Sequence, residues 1–174
     1  MIHLFQNTLT FIVLLPYLLE YAWIRTTRDK AIADQITGLK LTALAKRLLH
    51  KYMPVIEEPS DFDLFYPQAL NTMKIFNLLW NFKIQSNQPN EVTLHVAHCP
   101  VMDILNLFRL TYLKPYVCQG DWEFAKDNAH VWQFDRKHEI GKGDSFCDHT
   151  YKRLPIKSLN KNAIQMLKPQ EIEL

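Results

Sequence analysis

A chain of 174 residues, 48% apolar and 12% aromatic, has the size and composition of one ordinary globular domain with a substantial core. Four glycines argue against a collagen-like or low-complexity chain, and a net charge of +2, with acids interspersed among the bases, argues against a nucleic-acid partner. Cys99, Cys118 and Cys147 are an odd, irregularly spaced set without the density of a secreted disulfide scaffold, so a reducing, cytoplasmic compartment and three free thiols are expected.

The first element is the apolar run from Leu9 to Leu19, ended by Glu20. It is shorter than the ~20 residues a membrane span requires. No Lys or Arg precedes it and no small-x-small site follows, which argues against a cleaved signal. It reads first as a core helix packed on the domain, with Pro16 as a point of bending. The alternatives are an interfacial helix anchored by Trp23, Arg25 and Arg28, which would bring the protein into membrane contact, and a true span.

From Ala31 to Tyr52 the spacing of Ile32, Ile36, Leu39, Leu44 and Leu48 predicts an amphipathic helix, stopped by Pro54 and Pro59. Ser60 with Asp61 and Asp63 offers a cap for a further helix carrying Phe65, Ala69, Met73 and Phe76, with Pro67 shifting its start or bending it. Near Trp80 the period changes, dividing the chain into a helical part, 1–80, an α+β part, 81–154, and a polar tail, 155–174. The expectation is a single α+β domain with N-terminal helices packed on a small antiparallel β-sheet.

In the second part, "NFKIQ", "SNQPN" and "EVTLHVAHC" read as strand, turn and strand. Pro100 suits the first turn of a helix with Ile104, Leu105, Phe108 and Tyr112 on its apolar face, ending at Pro115. Cys118 lies just beyond, and Asp121 is placed to cap a short helix. "HVWQFDRKHEI" and "SFCDHTYKR" then read as strands joined by Gly141-Lys142-Gly143-Asp144, where glycine suits a positive φ. An even-length loop there sets Ile140 opposite Ser145, His138 opposite Cys147 and Arg136 opposite His149, so one face mixes aromatic and ionisable groups. His95 and His98 alternate on their strand and make a poor metal clamp.

The ordered set of a strand ending in Cys99-Pro100, then Cys118-Gln119-Gly120-Asp121, then an Arg136-bearing strand, then Gly143-Asp144-Ser145-Phe146-Cys147-Asp148, resembles the L-2-amino-thiazoline-4-carboxylic acid hydrolase family over about residues 90–151. One departure is His149, where family members commonly carry an aromatic residue. The resemblance implies a small-molecule substrate, a cyclic isothiourea-like amino acid. Water opens it at the ring carbon between sulfur and nitrogen to give N-carbamoyl-cysteine. Such an amidine-like carbon suits a thiolate whose pKa is lowered by a His, a cation or a helix N-terminus. Cys118, Cys147, Asp121 and His138 are the catalytic candidates, with a Cys147–His138 pair and convergence of all three cysteines expected. Arg136, as a two-point clamp for a carboxylate, Cys99 and His149 are the substrate-binding candidates. The rival readings are a non-catalytic module in which the three thiols, with His138 or His149, ligate zinc or another thiophilic metal, and a non-catalytic small-ligand-binding or membrane-proximal accessory protein of the same fold. A divalent metal requirement and the oligomeric state are left open.

Overall fold

The computed structural model describes residues 2–76, 80 and 82–155, with the side chains of 73–76 left undescribed. The described chain runs α1 (Ile2–Thr27), α2 (Lys30–Tyr52), α3 (Phe65–Phe76), β1 (Phe82–Gln88), β2 (Glu91–Val96), α4 (Pro100–Leu107), α5 (Lys114–Asp127), β3 (Trp132–Asp135) and β4 (Cys147–Arg153). It is an α+β fold, with N-terminal helices packed on a small antiparallel sheet of order β1-β2-β4-β3.

The first helix packs on the domain against α2 and α4, but only one side of its apolar run is covered. It is continuous through Pro16 and buries Gln6, Thr10, Leu14 and Tyr21, while Ile12, Leu19 and Trp23 are 60%, 63% and 70% exposed. α2 forms where expected but turns another side inward. Its buried residues are Ala33, Thr37, Gly38, Leu41 and Leu49, and Ile32 and Leu39 face solvent.

The reason for that rotation is the close crossing of α2 and α5. A Cβ on Gly38 would lie 2.5 Å from the Tyr116 ring, and one on Gly120 would lie 2.4 Å from the Ala45 Cβ, with the backbone of Thr42 and Lys46 just behind. The Thr42 hydroxyl donates to the Tyr116 carbonyl at 2.7 Å across the same contact. Small residues, rather than the largest apolar ones, therefore decide which face of α2 is inside. Gly120→Ala is expected to destabilise the protein by about 1–3 kcal/mol as the helices are forced apart, read as a lower urea midpoint at unchanged slope.

Between α2 and α3 the segment Pro59–Leu64 is a 3-10 turn, so Ser60 does not cap α3; Pro67 sits in the first turn of α3, where its missing N–H leaves no bond unmade. Met73 and Phe76 lie outside the residues whose side chains are described. The β1–β2 hairpin forms as expected, but β1 continues through Ser86–Gln88, after a register shift near Ile84, and the reversal falls on Pro89 and Asn90.

The β3–β4 pair keeps the expected register, Phe134 opposite Tyr151 and Asp135 opposite Thr150, and then stops. Beyond Asp135 the chain leaves the sheet. Asp148 Oδ1 accepts the N–H groups of Lys137 and His138 at 2.9 and 2.5 Å, and Asp144 Oδ2 accepts the N–H of Glu139 at 2.7 Å, so carboxylates satisfy donors that a ladder would otherwise pair. A 3-10 turn at Ile140–Lys142 closes on Gly143, whose φ is +109°. Nothing lies within 4 Å of a Cβ built there. Gly143→Val is therefore expected to cost about 1–2 kcal/mol through backbone strain alone, measured by thermal or urea unfolding.

Two groups of buried side chains hold these elements. One, including Phe62, Phe65, Leu94, Trp132 and Tyr151, joins the sheet to α3 and α5; the other, including Leu41, Ile104, Leu105 and Leu113, joins α1, α2 and α4. Trp80 packs against both.

Candidate active site

The stretch between α4 and α5 decides where the chemistry-bearing residues sit. α4 ends at Leu107, two residues before Arg109 takes the left-handed conformation at φ +56°. Pro115 does not end a helix; it stands in the first turn of α5. Cys118 and Asp121 are consequently interior residues of α5, three apart and on one face, rather than residues before or at a helix start. The helix N-terminus proposed to acidify the Cys118 thiol is not beside it.

Cys118 and Asp121 line a cavity of about 100 Å³ together with Cys99, Cys147, Arg136 and His149. That volume is several times what one water requires. Cys99 arrives just before α4, and Cys147 and His149 are alternate residues on the inward face of β4. All three cysteines thus meet in one space, as free thiols. Gly141 has a role distinct from that of Gly143: a Cβ on it would lie 2.7 Å from the Cys118 sulfur, so its bare backbone lets the loop close over the cavity.

Arg136 is the electrostatic centre. Its side chain is 2% exposed; Nη1 donates to Asp121 Oδ2 at 2.5 Å, and Nη2 donates to Glu139 Oε2 at 2.9 Å and to the Cys118 carbonyl at 3.3 Å. Burial works against the guanidinium charge, and the two carboxylates outweigh it, so the group is held cationic more firmly than usual. Both terminal nitrogens are already committed to internal carboxylates. The two-point clamp for a substrate carboxylate is not available in this arrangement, and the Arg136 Nε–H is buried without a partner. Glu139, buried between Arg136 and Lys142, was not singled out in the sequence. The signal was its i,i+3 spacing from Arg136, obscured because the segment reads as a strand.

His149 is buried, with Phe82 and Phe134 rings 6.5 and 5.7 Å away edge-on. Its Nε2 has no hydrogen-bond partner and stands 3.8 Å from Asp121 Oδ2. Burial first, and the Arg136 charge next among the effects that lower it, depress its pKa below the ordinary value despite Asp121, leaving a neutral imidazole at neutral pH. Burial also raises all three thiol pKa values: Cys147 is pushed up to about 12, and Cys118 and Cys99 are raised as well. The Ile140 N–H donates to the Cys147 sulfur at 3.2 Å and opposes that rise.

His138 does not join them. Its half-exposed ring packs on Phe146 at 4.5 Å and lies 3.9 Å from Asp144, outside the cavity lining, because the chain leaves the sheet before the predicted Cys147–His138 pairing can form. Replacing His138 by Gln is therefore expected to leave the pH dependence of Cys147 alkylation unchanged, with the reactive thiolate appearing only well above pH 9. Iodoacetamide rates followed by mass spectrometry check both statements. Among the described residues no group of three or more His, Cys, Asp or Glu side chains is arranged to hold a metal ion, so the converging thiols do not amount to a ligand set.

Helices packed on an antiparallel sheet, with thiols, an imidazole and a guanidinium–carboxylate cluster lining a cavity between them, define a small α+β protein. Residues 22–151 match the family described as L-2-amino-thiazoline-4-carboxylic acid hydrolase, and the chain belongs to that family. The match takes in α2 and α3 as well as the motif-bearing segment from which the resemblance was read. No curated protein and no solved structure matches the chain.

Proposed function

We propose that the protein hydrolyses a small cyclic amidine of the thiazoline type, using Cys147 as nucleophile, His149 as general base and Asp121 as the anchor for the protonated amidine. The observation that carries this reading is the buried His149 Nε2, unpartnered at the cavity beside Asp121 and on the same strand face as Cys147. A polar atom left without a partner in a buried site favours a ligand that completes it. Asp121 is the carboxylate beside that imidazole, which suits the binding of a cationic amidine there.

The thiol rests protonated, so His149 removes its proton as sulfur attacks the ring carbon between sulfur and nitrogen. The Ile140 N–H supports the charge developing on Cys147. The ring carbon–sulfur bond breaks, and the departing sulfur takes the proton from His149. Water, deprotonated by His149, then attacks the enzyme-bound amidine carbon; the bond to Cys147 breaks, the thiol is restored, and the carbon leaves as a urea. Incubation of the purified protein with L-2-amino-thiazoline-4-carboxylate should release N-carbamoyl-cysteine, identified by its mass and its new thiol. Absence of turnover with this compound and with a panel of small cyclic amidines would refute the reading.

A further inference from the structure

α1 is apolar on both sides. Toward the rest of the protein it directs Leu14 and Tyr21, with Phe11, Tyr17, Leu18 and Ile24 partly buried beside them, and it also buries Gln6 and Thr10 and makes polar contacts along its length. Asn7 donates to Asp103 at 3.1 Å, the Tyr21 hydroxyl donates to Asp34 at 3.1 Å, His3 and His98 share a hydrogen bond, and Glu20 pairs with Lys40. Toward the outside it presents Ile2, Leu4, Phe5, Ile12, Leu19 and Trp23, all exposed. At 100° per residue these fall on one half of the helix circumference. Phe11 stacks on Phe108 of the α4 C-terminus at 5.8 Å, and the exposed Leu107 and Phe108 widen the apolar surface beside it.

We propose that this face is a docking surface for an anionic lipid bilayer, with α1 lying in the membrane interface rather than crossing it. The choice of lipid rests on how the face ends. Trp23 lies on it and suits the headgroup level, and the exposed Arg28 just past the end of α1, with the exposed Arg25 around the helix from Trp23, supplies long basic side chains that can reach anionic lipid. α1 is long and apolar enough to cross a bilayer. Crossing would nevertheless strip the contacts to Asp103, Asp34, His98 and Lys40 that run from one end of the helix to the other, or draw those charged groups into hydrocarbon. The family match begins at residue 22, so Ile2 to Leu19 of this surface precede the matched region while Trp23, Arg25, Arg28, Leu107 and Phe108 lie within it. Leu14, on the opposite side of the same helix, lines the cavity, so the docked face and the site share one element.

The test is flotation of the full-length protein with vesicles of phosphatidylcholine alone and of phosphatidylcholine mixed with phosphatidylglycerol. Binding to the mixed vesicles is expected, roughly tenfold weaker without the anionic lipid or in Arg25→Gln/Arg28→Gln. Ile12→Glu/Leu19→Glu should abolish flotation while leaving the circular dichroism spectrum and Tm unchanged, since neither residue is buried. Failure of the parent protein to float with either vesicle would overturn the proposal. A detergent-free dimer that the Ile12→Glu/Leu19→Glu variant splits would assign the face to a second copy instead, and retention on vesicles through an alkaline carbonate wash would show a span.

Discussion

Arg136→Met is expected to destabilise the protein by about 3–5 kcal/mol, because it leaves the carboxylates of Asp121 and Glu139 without their common cation in a site from which water is largely excluded. The effect is not the value of one ion pair. It is the cost of stranding Asp121 and of leaving Glu139 with only the exposed Lys142, so part of it should return when Asp121→Asn or Glu139→Gln is added to Arg136→Met. Arg136→Lys should recover only a fraction, since a single ammonium cannot reproduce the fork that spans Asp121, Glu139 and the Cys118 carbonyl. Urea unfolding of the single and double variants measures this directly, and additive losses would contradict a shared cluster.

Cys147→Ser and His149→Phe are each expected to lower kcat/KM on a thiazoline substrate by about 10²–10⁴-fold, the usual effect of removing a nucleophile or general base. His149→Phe is the sharper of the two. It exchanges the imidazole for an apolar ring expected to pack beside Phe82 and Phe134 with the fold kept, so retained activity would remove His149 from the mechanism. The pH profile provides an independent reading. His149 must be neutral to act, and its pKa lies below the ordinary value near 6.5, so activity should be level at neutral pH and fall only in acid. A mechanism needing a preformed Cys147 thiolate would instead keep gaining rate with pH toward about 12.

The same shifts set the pH limits of stability. The unfolded chain protonates His149 near pH 6.5 while the folded one resists, so the unfolded state binds more protons there and stability falls on acidification through that window. For the thiols the sign reverses. Their folded pKa values are raised, so their contribution is complete below the unfolded value near 8.5 and declines as pH rises above it. Replacing Cys147 by Ala should flatten the alkaline arm.

What the sequence determined by itself was local and periodic. The alternation of Glu91–Val96 and the stop signals at Pro54 and Pro59 were enough for a strand and a helix end, and the hairpin register followed from parity, because a strand's side chains alternate with period two. The cysteine, arginine and aspartate motifs were also legible, as types at intervals. Three things were decided only in the tertiary structure. The inward face of α2 was set by how closely α5 approaches, which lets Gly38 and Gly120 outweigh larger apolar residues. The partner available to Cys147 was set by side-chain carboxylates: Asp144 and Asp148 capture the loop's N–H groups, take the chain off the sheet after Asp135, and leave His138 outside while His149 stays within. The protonation states followed from burial, which raises thiols and lowers an imidazole by removing water from charge, and burial is a property of the packed molecule that no residue carries in its own neighbourhood of sequence.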